Sequence, residues 1–73
     1  MHKVTNVDVH LKNGSCSTFN KEKTECKFIT YDYKASFFVV IIHFKDSSVQ
    51  EIAFPSSEIE YTDSIKEYAT TNL

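Results

Sequence analysis

The chain is patterned around one stretch. Phe37-Phe38-Val39-Val40-Ile41-Ile42-His43-Phe44 is apolar apart from a single histidine, and its residues are mostly β-branched or aromatic. Such side chains suit a pleated strand better than a helix. A gapless run this short predicts a strand buried on both faces. Phe37, Val39, Ile41 and His43 point to one side; Phe38, Val40, Ile42 and Phe44 point to the other. Each face needs a cover.

Alternation marks the other elements. Val4 to Lys12 reads as a half-buried strand with Val7, Val9 and Leu11 inward and Asp8, His10 and Lys12 outward. Asn13-Gly14 predicts a two-residue type I′ hairpin that pairs Lys12 with Ser15 and Leu11 with Cys16. A weaker strand returns over Ser15 to Phe19, and Asn20 to Thr24 reads as a charged connector. Glu25 to Tyr33 predicts a third strand, with Ile29, Tyr31 and Tyr33 on one face and Cys26, Phe28 and Thr30 on the other. Lys45-Asp46-Ser47-Ser48 is a polar turn after the central strand. Val49 to Phe54 predicts a fifth strand, ended by Pro55. Glu58–Tyr61 reads as a short edge strand. Ser64–Thr70 reads as a short helix, because Ile65, Tyr68 and Ala69 follow helical spacing and Asp63 or Ser64 can cap it.

The expected fold is therefore mostly β. It is a curled, barrel-like antiparallel meander of five or six strands with a short C-terminal helix, forming one domain over residues 1–73. That helix and the curl of the sheet are the expected covers for the central strand. A core this small supplies only ~3–5 kcal/mol. Incomplete cover then predicts a homo-oligomer, a dimer by frequency, with Tyr31, Tyr33 and Phe37 at its interface.

Charge narrows the functional classes. The net charge is −2, and all eight basic residues are lysine. Arginine is the preferred residue for bidentate contacts to phosphate and guanine, so its absence argues against a nucleic-acid partner. No run approaches the ~20 apolar residues needed to cross a membrane. No apolar leader follows Met1, so the expected compartment is the cytoplasm, with Cys16 and Cys26 reduced.

Candidate chemistry is sparse. His43 reads as either a poised acid, base or ligand, or a hydrogen-bonded histidine near the end of a core strand; the second reading is carried forward. Asp8 and His10 lack a visible third metal ligand. Asp46, Ser47 and Ser48 are what a tight turn wants. No phosphate loop, Cys-x-x-Cys, His-Glu-x-x-His or Gly-x-Ser-x-Gly is present. The expectation is a protein that is not an enzyme and needs no cofactor or metal. Four tyrosines exceed what so small a core needs, and tyrosine joins a flat apolar body to a polar tip. Tyr31, Tyr33, Tyr61 and Tyr68, with Phe37, are the candidate binding residues.

Val-Asp-Val-His-Leu-Lys-Asn-Gly, Phe-Lys-Asp-Ser-Ser-Val-Gln-Glu-Ile and Ser-Glu-Ile-Glu-Tyr, across roughly residues 4–62, resemble small β-rich accessory proteins of phages and mobile elements of Gram-positive bacteria. Asp-Ser-Ser stands where such proteins often show Asp-Gly. The resemblance implies a protein that binds and blocks a host factor, including a defence protein, in the host cytoplasm. Two other readings stay open: an oligomeric binder that sequesters a signalling nucleotide with lysine and tyrosine, and a structural or assembly component.

Overall fold

The structure, a computed structural model, describes residues 3–66. In chain order it forms β1 (Lys3–Leu11), β2 (Cys16–Asn20), a one-turn helix α1 (Lys21–Thr24), β3 (Phe28–Lys34), β4 (Phe37–His43), β5 (Val49–Pro55), a 3-10 turn (Ser56–Glu58) and β6 (Ile59–Lys66). All strand pairs are antiparallel, and the six strands form one sheet.

The sheet is more than a run of consecutive hairpins. β6 pairs with β1 from Val4 to Leu11, so it fills one edge of β1. β2 pairs with Asn6 to His10 and β3 with Lys3 and Val4, so these two share the opposite edge. β3 continues the line of β2, with α1 as a one-turn detour between them. Asn20 makes the detour: its Oδ1 accepts from the Glu22 and Lys23 amides at 3.0 and 3.1 Å, while its Nδ2 donates to Asn6 Oδ1 at 3.2 Å. Glu25 closes the turn in the left-handed region at φ +53°, its amide donating to Glu22 O at 3.2 Å. That is a helix cap in miniature; the sequence predicts a charged connector over residues 20–24 and a third strand from Glu25, whereas Glu25 is the cap and β3 begins at Phe28.

The expected C-terminal helix is not seen. Residues 64–66 are the end of β6, and residues 67–70 of the expected helix, Tyr68 and Ala69 included, lie outside the described residues. Ile65 is exposed on the outer face and covers no part of β4. The reason is long-range: the Val4–Leu11 edge of β1 would otherwise present a row of unpaired backbone groups. Alternating Ile59, Tyr61 and Ile65 suit the partner strand that satisfies them. Residues 59–61, within the expected edge strand, open β6, while Glu58 ends the 3-10 turn before it.

The curl of the sheet supplies the cover. Val4, Val7, Val9, Cys26, Ile29, Phe38, Val40 and Ile42 form the buried cluster, flanked by Leu11, Phe19, Tyr31, Phe44, Ile52, Phe54 and Ile59. Phe19 of β2 meets Phe54 of β5 edge to face, ring centroids 6.0 Å apart, so the two ends of the sheet touch over the core. The fold is thus a curled half-barrel. Val4 joins Val7 and Val9 inside although strict alternation would put it outside. A bulge resolves this: between the pairs Val4–Lys66 and Asn6–Ile65, Thr5 is an extra residue. Its hydroxyl donates to Ile65 O at 3.3 Å.

β4 is buried on both faces, as its sequence predicts. On the outer face Val39 and Ile41 are shielded by side chains alone. Lys34 pairs with Glu51 at 3.0 Å from opposite sides of β4, and the registers place this pair across Val39. His43 takes the hydrogen-bonded role: its Nε2 lies 2.9 Å from the hydroxyl of buried Thr30, and its ring stacks on Phe28 at 4.2 Å.

Two loops share one design. In the first, the Leu11 amide donates to Ser15 O and the Gly14 amide to Leu11 O, at 2.9 and 3.0 Å. In the second, the Phe44 amide donates to Ser48 O and the Ser47 amide to Phe44 O, at 2.9 and 3.1 Å. Asn13 and Asp46 each accept from the amide of the serine two residues on, at 2.9 Å in both. The Ser48 hydroxyl, then its amide, hold the Asp46 carboxyl below the usual carboxylate range. The hairpin loop therefore has three residues, a turn followed by a left-handed position, and His10 rather than Leu11 pairs with Cys16. The expected two-residue turn fails because Leu11 bonds Ser15 across the loop.

Gly14 has φ +91°, and Ser47 fills the same position at φ +74°. A non-glycine residue there costs roughly 1–2 kcal/mol, partly offset by the extra freedom glycine has when unfolded. Ser47→Gly is expected to stabilise by about 0.5–1 kcal/mol. Gly14→Val is expected to destabilise by about 1 kcal/mol through backbone strain alone, since an added Cβ at Gly14 meets nothing within 4 Å. Urea melts read both; a Ser47→Gly midpoint at or below wild type would refute the shared design.

Candidate functional site

Three surfaces carry chemistry-bearing side chains. The first is the seam of the half-barrel. The 3-10 turn ties the two ends of the sheet together: the Ser56 amide donates to Ser36 O at 2.8 Å, and the Lys12 amide donates to Glu58 O at 2.9 Å. This brings the end of β3 against the start of β6. A cleft of about 320 Å³ opens there, lined by Tyr33, Ser56, Ile59, Glu60, Tyr61 and Thr62. Tyr33 is 65% exposed and Tyr61 50%.

Both tyrosines are held from behind. Tyr33 leans on Phe38 at 5.1 Å and meets Tyr31 edge to face at 6.5 Å; Tyr31 in turn packs on Phe38 at 5.5 Å. Tyr61 stacks on His10 at 4.1 Å with 15° between the ring planes. Of the five candidates from sequence, Tyr33 and Tyr61 line this cleft, and Tyr31 packs against Tyr33 without lining it. Phe37 is exposed on the outer face of β4 instead, and Tyr68 lies outside the described residues. Sequence reading missed Ser56, Ile59, Glu60 and Thr62. They carry no local signal, because only the curl places them beside Tyr33.

The second surface is the outer face of β2, β1 and β6. His10 stands between Cys16 and Asp63: Cys16 Sγ lies 4.0 Å and Asp63 Oδ2 3.5 Å from His10 Nε2. A nucleophile relay needs the thiol on one ring nitrogen and the carboxylate on the other. Here both approach the same nitrogen, so no relay forms. Cys16 is exposed, Cys26 is buried, and both are free. Among the described residues, no three His, Cys, Asp or Glu side chains converge as a metal site.

The third surface is an open cleft of about 680 Å³ beside α1, lined by Lys21, Glu22, Glu25, Cys26, Lys27 and Lys45. It offers mixed charge and no aromatic ring. Lys27 and Tyr33 sit at opposite ends of β3, so within one protomer the lysine cleft and the tyrosine cleft are separate. Among the described residues, no helix is long and apolar enough to cross a membrane.

No protein-family model matches the chain, and no match was found among curated proteins or solved structures.

Proposed function

We propose that this chain is a non-enzymatic binding module that grips a protein partner at the seam, through Tyr33 and Tyr61. The observation that carries the reading is the pairing of two half-exposed, propped aromatic rings across one cleft floored by Ile59. A ring already held by Phe38 or His10 loses little freedom on binding, which is how tyrosine becomes an interface anchor. Together with the resemblance to small phage proteins, this favours an inhibitor that occupies a host protein, a defence factor included. The nucleotide reading has less support within one protomer: the tyrosine cleft has no lysine in its lining and the lysine cleft has no aromatic ring.

Tyr33→Ser tests the seam, because Tyr33 is exposed and its loss leaves the core in place. The tagged wild type is expected to retain one protein stoichiometrically from cell extract, and Tyr33→Ser, folded by circular dichroism, to bind it at least about tenfold more weakly. Undiminished capture by Tyr33→Ser moves the partner elsewhere on the surface. A small-molecule mass retained in native mass spectrometry, with no protein captured, favours the ligand reading.

A further inference from the structure

The half-barrel leaves three strand edges without partners among the described residues, and they differ in how they are protected. Natural sheets blunt an open edge with bulges, charges or shortness. β6 has two register irregularities and carries Glu60, Asp63 and Lys66. β2 is five residues long and runs directly into α1. β5 has the fewest of these devices: no bulge, full length and a single charge. Its seven residues pair with β4 in unbroken register, Val49 to Pro55 against His43 to Phe37. Its one charged residue, Glu51, is already engaged by Lys34 at 3.0 Å. Val49 is 54% exposed at one end.

We propose that β5 is a self-association edge: it pairs antiparallel with β5 of a second copy across a two-fold axis, making one continuous twelve-stranded sheet. The charge pattern selects the register. Centring the axis on Glu51 would set Glu51 against Glu51 of the other copy. Centring it on Ile52 sets Glu51 opposite Ala53 of the second copy, Gln50 opposite Phe54 and Val49 opposite Pro55, with no like charges facing. The outer face then gains a continuous apolar rung. Phe37 and Pro55 of one copy meet Val49 of the other, which is flanked in turn by His43 stacked on Phe28. Exposed Phe37 and Val49 thus acquire neighbours that one protomer cannot provide. Pro55 closes the ladder at either end, having no amide to extend it. The seam is untouched, so this pairing stands or falls separately from the seam's occupant.

Position 53 reads the register directly. Ala53 is exposed, and in the dimer each copy's residue 53 faces Glu51 of the other. Ala53→Glu creates two like-charge pairs and Ala53→Lys two opposite-charge pairs. Sedimentation equilibrium at micromolar concentrations should show a wild-type dimer. Its dissociation constant should rise in Ala53→Glu and fall in Ala53→Lys, the two variants differing by about tenfold or more at low salt. Circular dichroism of both variants checks that the protomer remains folded. An 8.4 kDa monomer across that range overturns the proposal. So does a dimer whose dissociation constant is the same in both variants, since its interface then lies away from β5.

Discussion

Phe38→Ala should all but unfold this protein, while Phe37→Ala, one residue earlier in the same strand, should hardly be felt. Phe38 is 1% exposed and sits among the inward side chains, with Tyr31 and Tyr33 tilted against its ring. Truncating a buried phenylalanine to alanine costs ~3–5 kcal/mol, the lost transfer energy plus the cavity left behind. A domain of this size is stable by only ~0.05–0.15 kcal/mol per residue, so that loss removes most or all of the margin. The propped tyrosines would go with it, because Phe38 is what Tyr33 leans on. Phe37 points to the outer face and is 43% exposed. Within one protomer its truncation should cost less than about 1 kcal/mol. Thermal melts of the two variants, at concentrations low enough to keep protomers apart, separate the faces: Phe38→Ala is expected to fall by at least ~15 °C and Phe37→Ala by only a few degrees. Similar losses would mean that the strand's two faces are not assigned as described.

The contrast rests on a feature plain in the sequence, the gapless apolar run of β4. Its two-sided burial follows from composition alone, because no choice of register exposes only polar side chains. The hairpins were legible for the same local reason, since Asn13-Gly14 and Asp46-Ser47 are turn chemistry wherever they occur. Their loop length was not. A two-residue turn and a three-residue turn with a left-handed third position both favour Asn-Gly. What separates them is whether Leu11 bonds Ser15, which depends on strand twist.

The sequence predicts a strand over residues 58–61, and residues 59–61 do open β6; the continuation to Lys66 is what it misses, for a different reason. Ile65, Tyr68 and Ala69 have a helix's spacing, but the competing interest belongs to β1, more than fifty residues earlier, whose open edge needs backbone partners. No local window contains that information. The same holds for Val4, which a strict period of two sends outward and the Thr5 bulge returns to the core. The candidate site divides along this line too. The excess of tyrosine is visible in the sequence, and two of the five named residues, Tyr33 and Tyr61, line the seam cleft. The gathering itself comes from the curl, and so do the cleft's remaining walls.

Residues 20–24, a charged connector by sequence, should prove one of the more sensitive places in the chain. Asn20→Ala removes the cap of α1 and the cross-strand bond to Asn6 together. Oδ1 of Asn20 satisfies two amides at the start of the helical turn, and Nδ2 holds Asn6 on the neighbouring strand. Loss of an N-cap costs ~0.5–2 kcal/mol, and a side-chain hydrogen bond adds ~0.5–1.5 kcal/mol. The expected total is roughly 2 kcal/mol, large for a half-buried polar residue. It is large because of what α1 does. The turn uses up one stretch of chain so that β3 resumes the edge of β1 that β2 has just left, and it drops Cys26 into the core beneath it. Asn20→Ser separates the two roles, since a serine hydroxyl still caps the turn but is too short to reach Asn6 as well. Urea midpoints should therefore rank wild type, then Asn20→Ser, then Asn20→Ala. If alanine melts with wild type, α1 is passive slack between two strands; if serine is as poor as alanine, the bond to Asn6 and not the cap holds the detour in place.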